Sequence, residues 1–397
     1  MNYFDRVNIS VAHEALHQEF GISTVMFGYL LSSFNWTYAL LQLPMGVLLD
    51  RFGVKPIGRI SALLWTLASL GSAVAPNLGA FFGTRLLLGI GEAPTFPANV
   101  KAIGYWFPRA ERSMATATFD AAAKLGAAIG IPAVGYVLIH FGWRTSFAVT
   151  GAISLLYFWA FWLIYRDPGD DPALSEQERV LIGHEAGAQQ LRGGAPLGAL
   201  MRRKKVLGLV AGFFGYNYCF YLLLLWLPTY FASLELDPWH SVLYTGFPWL
   251  VAAVADLAIG GYMVDYLVRK GWRDTVVRQS VLITGTALGL AIAGPMFTTN
   301  PEVALVWITV ALAGLAAAAP VGWSIPSLIA PRESVGKVGG ILNFGNQVSG
   351  IVAPIVTGYI ARETGSMKQA FAVAAILLLL GIAAYIFLLG RIEPEET

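Results

Sequence analysis

The sequence predicts an all-α membrane protein of twelve spans, arranged as two parallel six-helix repeats. Three observations carry this: long apolar blocks, basic residues confined to alternate loops, and short motifs that return about half a chain later. Of 397 residues, 56% are hydrophobic and only 13% charged. Soluble domains hold about 25% charged residues, so half the usual charge is missing. Mean hydropathy is +0.62. The net charge of +2 supplies no footprint for nucleic acid.

The spans come first. A membrane helix needs about 20 mostly apolar residues. Eleven complete candidates meet this, at 26–49, 57–76, 79–103, 113–139, 145–165, 206–231, 241–264, 276–298, 303–326, 338–361 and 369–390. Residues 1–18 read as the second half of a twelfth, because VNISVA runs straight into the polar HEALHQEFG. The sequence therefore opens inside its first helix, which points to missing upstream residues or a shifted start. Its first ten residues lack the basic-then-apolar pattern of a cleavable signal.

Orientation follows from charge. With the partial helix counted first, twenty of the 26 Lys and Arg fall in loops or span ends on one side. Only Arg144, Arg362 and Lys368 fall on the other, and Arg6, Arg85 and Lys124 lie within spans. The positive-inside rule makes the basic side cytoplasmic. An inner-membrane, multi-pass chain with both termini cytoplasmic is expected. The single cysteine, Cys219, cannot form an intramolecular disulfide and says nothing of redox compartment.

The repeat is direct. Gly46-Val-Leu-Leu-Asp50-Arg51 returns as Gly261-Tyr-Met-Val-Asp265-Tyr266, and Gly135-Tyr136 as Gly358-Tyr359. Phe147-Ala-Val returns as Phe371-Ala-Val, so the offset is 215 to 224 residues. Direct order implies halves related by an axis along the membrane normal. Residues 1–166 form the first half and 206–397 the second. The polar stretch 167–205 is a cytoplasmic linker, with a short helix expected at SEQERVLIGHE. Two parallel halves around a central site make alternating-access transport the default expectation.

These residues also carry a resemblance. GVLLDRFGVKPIGR (46–59) resembles the loop signature of the major facilitator superfamily. NYFDRVNISVA (2–12), RLLLGIGEAPTFPAN (85–99) and YWFPRAERS (105–113) are similar to its anion:cation symporter family. WSIPSLIAPRESVGKVGGILNFGNQVSG (323–350) and SEQE (175–178) fit the same family, so the resemblance spans nearly the whole chain. It implies the twelve-helix major facilitator fold and a proton-coupled symporter of a small organic anion; a monomer is expected. Galactonate, glucarate and hexuronate permeases belong to that family, and sialin and the vesicular glutamate transporters are similar.

Charged side chains at mid-membrane cost about 2.5–3.5 kcal/mol, so each needs a partner, a wet cavity or a task. Arg6 lies about 15 Å from the outer end of its helix at 1.5 Å per residue. Asp5 is its neighbour, but successive helical residues point about 100° apart. Arg6 can face a cavity while Asp5 meets another helix. A guanidinium binds a carboxylate through two parallel hydrogen bonds, which lysine cannot copy. The alternative is a structural Asp–Arg lock. The resemblance implies that Arg6 binds the substrate carboxylate and Asp5 takes part in proton coupling.

Arg85 and Glu92 are seven apart, hence on one face about 10 Å apart along the axis. Each must find its partner on another helix; Asp5 is the candidate for Arg85, itself a second candidate anion site. A buried acid such as Glu92 in GIGEAPTFP is a candidate proton carrier, a role the resemblance also implies. Asp120 and Lys124, at i and i+4, are placed for an internal pair. Their repeat-related positions hold Asn343 and Gln347. Asp256 is a further intramembrane acid to which Lys124 can bridge, as a gate or as a static clamp. Many relatives carry an amide where Lys124 stands, so here the lysine is a candidate for a second substrate carboxylate.

Uncharged candidates for substrate hydroxyls are Tyr3, Tyr38, Gln42, Trp323, Ser324, Asn343 and Asn346, with Tyr216, Asn217 and Tyr221 beside them. Asp50, Arg51 and Asp265 belong to the loop signature and its repeat, where a conformational latch is expected. No Walker loop, nucleophile elbow or His/Cys metal spacing occurs, so neither an enzyme, a cofactor nor a metal is expected. The five histidines, His13 to His240, read as surface residues. Three cations against four acids inside the spans favour coupling to protons, since an anionic substrate adds to the imbalance. The sugar acids are the leading substrate class, with other carboxylates next and a non-transporting receptor last.

Overall fold

A computed structural model describes residues 2–107, 112–178, 196–331 and 334–393, and no strand occurs among them. The first span is two short helices, α1 (Asn2–Val11) and α2 (His13–Phe20). The ladder continues across Ala12, whose N–H reaches the Asn8 carbonyl (3.2 Å) and whose carbonyl accepts from Leu16 (2.9 Å). Next come α3 (Thr24–Phe52), α4 (Val54–Ala73), α5 (Leu78–Glu92), α6 (Thr95–Trp106), α7 (Arg112–Phe141) and α8 (Trp143–Ile164). The second set is α9 (Lys204–Ala232), α10 (Pro238–Arg269), α11 (Asp274–Phe297), α12 (Pro301–Ile329), α13 (Val335–Thr364) and α14 (Lys368–Leu389).

Local chemistry sets the boundaries. Ser23, Asn77, Asp237 and Asn300 accept hydrogen bonds from the exposed first-turn N–H groups of α3, α5, α10 and α12. Pro94 separates α5 from α6, so the fourth span bends just past Glu92. A π-helical stretch, Asp256–Met263, interrupts α10 and begins at the intramembrane acid. By length and composition alone, seven helices among the described residues can cross a membrane: α7 to α12 and α14. The remainder, α1 to α6 and α13, carry the polar groups that a central cavity demands. The chain is a multi-pass membrane protein. The linker helix expected from SEQERVLIGHE lies partly outside the described residues, as does His184.

The seam between the two sets of helices shows which face is shut. At the ends of α3 and α13 away from the basic loops, a Cβ on Gly28 would lie 2.6 Å from the Pro354 carbonyl oxygen, and one on Gly358 would lie 2.9 Å from that of Thr24. Only glycine permits backbones this close. Asn35 donates across the seam to the Gly350 carbonyl at 3.1 Å. His13, expected at the surface, instead stacks on Phe27 at 4.1 Å and meets Trp226 edge-on at 6.1 Å. His13 opens α2, and its ring lies against α3 and α9 rather than in solvent. Toward the basic face the same helices part: Gly46 on α3 and Gly336, Gly339 and Gly340 on α13 have open space around them. The seam is thus tight at the ends of α3 and α13 away from the basic loops and looser toward the basic face.

A substitution at the seam tests this. Gly28→Val cannot be accommodated without pushing α3 off α13, since the obstructing atom is backbone. It should raise outside labelling of a cavity cysteine placed at Asn346 several-fold. Cys219 is buried and does not confuse the readout. Unchanged labelling would mean that this contact does not hold the outer face shut.

Candidate functional site

Between the two sets of helices lies a cavity of about 260 Å³, just below the range of roughly 300–1,000 Å³ usual for ligand pockets. Helix α1 supplies Tyr3 and Arg6, three residues apart and so on one face. Asp5 points the other way, as the helical angle requires. Helix α7 contributes Asp120 and Lys124, and the repeat-related Asn343 and Gln347 on α13 line the same space. Tyr38, Tyr216, Tyr221, Trp323 and Asn346 complete its aromatic and amide surface. A larger cavity of 530 Å³ between α10, α11 and α12 is lined almost wholly by apolar groups and has nothing to recognise an anion.

Arg6 is paired with Glu92. Its Nε and Nη2 donate to one carboxylate oxygen, Oε2, at 2.9 and 2.7 Å. The other oxygen, Oε1, accepts no hydrogen bond among the described residues. The guanidinium also sits over Phe34 (4.5 Å), Tyr3 (5.2 Å) and Tyr38 (5.2 Å), which stabilises the cation from several sides. Glu92 is fully buried, whereas Arg6 reaches the cavity. One arginine thus has a fixed internal carboxylate and an open approach for an external one.

Asp5 is held differently from expectation. Its carboxylate accepts from Ser69 Oγ (2.6 Å), Trp65 Nε1 (2.9 Å) and Ser154 Oγ (3.1 Å), all on α4 and α8. Arg85 reaches only the main-chain carbonyl of Asp5, from Nη1 and Nη2 at 3.5 and 3.4 Å. It does not line the cavity, because it lies two turns further out on α5 than Glu92, behind α1. As a substrate contact, Arg85 is therefore corrected to a support for α1.

Lys124 joins the halves. Its Nζ donates to Asp120 Oδ2 at 2.6 Å and contacts Asp256 on α10 in a second ion pair. Asp256 is buried and Asp120 faces the cavity, so the lysine stands between an inner and an outer carboxylate.

Toward the basic face the cavity is only thinly closed. Asn343 donates to Gln42 at 3.0 Å, and Phe96 meets Trp323 at 5.7 Å. Gln42 thus works as a cross-half contact rather than part of the lining. Ser324 also turns away, accepting from Arg278 at 2.9 Å, because one helical step moves it off the face that Trp323 occupies. Asn346 accepts from Asn217 at 2.6 Å and Gln347 from Tyr221 at 3.2 Å, which fixes the amide face of α13. Arg51 and Asp265 are exposed at the basic face, and the side chain of Asp50 lies outside the described residues.

Sequence reasoning missed Trp65, which both lines the cavity and holds Asp5, and the aromatic pair Phe96 and Phe119. Ser61, Trp65, Ser69 and Ser72 form a polar stripe at helical spacing on α4, and that stripe was the available signal.

The chain matches the family model described as Major Facilitator Superfamily over residues 1–277 and 271–397. It is 39% identical to an "Uncharacterized transporter" of Bacillus subtilis, over 99% of this chain and 92% of that one. It is 33% identical to a "Probable sulfoacetate transporter" of Cupriavidus necator, covering 99% and 93%. A "Probable galactarate/D-glucarate transporter" of Escherichia coli is 30% identical, covering 100% and 93%. Among solved structures, a D-xylose–proton symporter superposes with a TM-score of 0.76 at 18% identity, covering 98% and 95%, which shows a shared fold.

Proposed function

Since the chain belongs to the major facilitator superfamily, we propose that it imports a sugar acid together with protons by alternating access. The observation that carries this is the pairing of Arg6 with Glu92 at the cavity wall. A substrate carboxylate and the Glu92 carboxylate compete for one guanidinium. Glu92 gives up Arg6 at low cost only if it takes a proton, because a lone buried carboxylate is strongly disfavoured. Anion binding and protonation are thereby tied to each other without direct contact between substrate and proton.

The surrounding groups suit a polyhydroxy acid. Tyr3, Tyr38 and Asn346 can bond hydroxyls, and Trp323 offers a face to the carbon chain. Galactarate and glucarate, named for a relative, are of this chemistry. Two cross-half contacts, Gln42–Asn343 and Phe96–Trp323, would break and reform as the inner face opens. Asp50, Arg51 and Asp265 serve as latches at the basic loops, and Asp5 tunes the first helix as a secondary proton group. The protein works as a monomer in an inner membrane, with both termini cytoplasmic.

Reconstitution into proteoliposomes tests the reading. With an alkaline interior, galactarate or glucarate should accumulate above its outside concentration, and a protonophore should collapse the gradient. Uptake indifferent to the pH gradient, or no uptake of any sugar acid or of sulfoacetate, would overturn it.

A further inference from the structure

Within the spans four acids, Asp5, Glu92, Asp120 and Asp256, face three cations, Arg6, Arg85 and Lys124, and the excess is not spread evenly. Glu92 is matched by Arg6, and Asp5 lies beside Arg85. Lys124 alone faces two carboxylates, Asp120 and Asp256. Only Lys124 and Asp120 of these three line the cavity that Arg6 lines. A cation at the cavity wall with a carboxylate partner is therefore present twice, and at Lys124 the partner that a substrate anion could replace, Asp120, itself faces the cavity.

We propose that Lys124 and Asp120 form a second anion subsite, so that the preferred substrate is a dianion carried with two protons. The proposal rests on the reading of Arg6 and Glu92 given above. Asp256, buried across the seam, stays with Lys124 throughout and holds its Nζ in place. The second carboxylate of the substrate takes the position of Asp120 at that Nζ. Asp120 then binds a proton from cavity water and returns it when the substrate leaves. Tyr3 on α1 and Tyr216 on α9 are the other titratable side chains within electrostatic range of this cluster.

The charge count supports two protons. Empty, the Arg6–Glu92 pair is neutral and the Lys124 cluster carries one negative charge. Loaded with a dianion and two protons, both values are unchanged. Loaded with one proton, the Lys124 cluster would hold three carboxylates around one ammonium in a water-poor cavity, which Coulomb repulsion strongly disfavours. A monoanion needs only the Glu92 proton and leaves Asp120 on Lys124. Asn343 and Gln347, at the repeat-related positions, bear no charge, so only α7 offers this subsite.

The test compares galactarate with galactonate, the same carbon chain bearing two carboxylates or one. Purified protein should prefer galactarate by about tenfold or more, the usual worth of a charge-assisted contact. Proton uptake on binding should be two for galactarate and one for galactonate. Asp120→Asn should remove one proton from the galactarate count. The double variant Lys124→Gln, Asp256→Asn removes the lysine without stranding its buried partner, and its galactarate-to-galactonate ratio should fall toward one. A wild-type ratio in that variant, or a single proton per galactarate in the wild type, would overturn the proposal. If the double variant does not fold, the wild-type proton count decides alone. Arg6→Gln separates the two readings. If it keeps both ligands while the double variant loses its preference, the Arg6 assignment fails and the second subsite stands.

Discussion

Arg6→Ala is expected to lower affinity for the transported anion by about 30- to 4000-fold, from the roughly 2–5 kcal/mol that removing one partner of a buried charge pair costs. The arginine is the only cation on α1, and its guanidinium is braced by three rings and one carboxylate. Arg6→Lys keeps the charge but offers a point donor on a flexible stem, so most of the loss should remain. Calorimetric titration with galactarate and galactonate measures both variants directly. Glu92, left without its partner, will take a proton rather than stay charged in the interior, so the alanine variant should still purify as a monodisperse protein. Binding at the wild-type level would place the substrate carboxylate elsewhere, with Lys124 the first alternative.

How far the sequence alone leads is clear from these same residues. Helical geometry was enough to turn Arg6 toward a cavity and Asp5 away from it, since adjacent residues diverge by about 100°. Spacing of four was enough to pair Asp120 with Lys124, and the repeat offset brought Asn343 and Gln347 to the same cavity. Partners across helices were another matter. Glu92 meets Arg6, and Arg85 reaches a main-chain oxygen, because tilt and depth of neighbouring helices decide which side chains touch. Periodicity fixes a face, not a height. Ser324 and Gln42 show the same limit, since one lies next to the lining residue Trp323 and the other a turn from Tyr38, yet they bond Arg278 and Asn343 respectively. Trp65 was legible only through the polar stripe it shares with Ser61, Ser69 and Ser72, since the tryptophan by itself gives no sign that its N–H will meet a buried aspartate.

Glu92→Gln should separate coupling from binding. Glutamine keeps the shape of a protonated glutamic acid and cannot release a proton. It also withdraws the charge that competes for Arg6, so the guanidinium is free for substrate at every pH. In the wild type, each obligatory proton makes affinity fall about tenfold per pH unit once the carrier is ionised. The variant should lose one such dependence and bind at least as well as wild type at alkaline pH. Counterflow of labelled galactarate in proteoliposomes should persist, because exchange requires only the loaded carrier to cross. Accumulation driven by a pH gradient should vanish, since the empty return needs Glu92 to discharge and re-engage Arg6. A purely structural glutamate would give a different pattern, with binding, counterflow and uptake falling together at equal protein content. Retained pH-driven accumulation would remove Glu92 as the obligatory carrier and leave Asp120 as the next acid to substitute, and after it Asp5 with its three hydroxyl and indole donors.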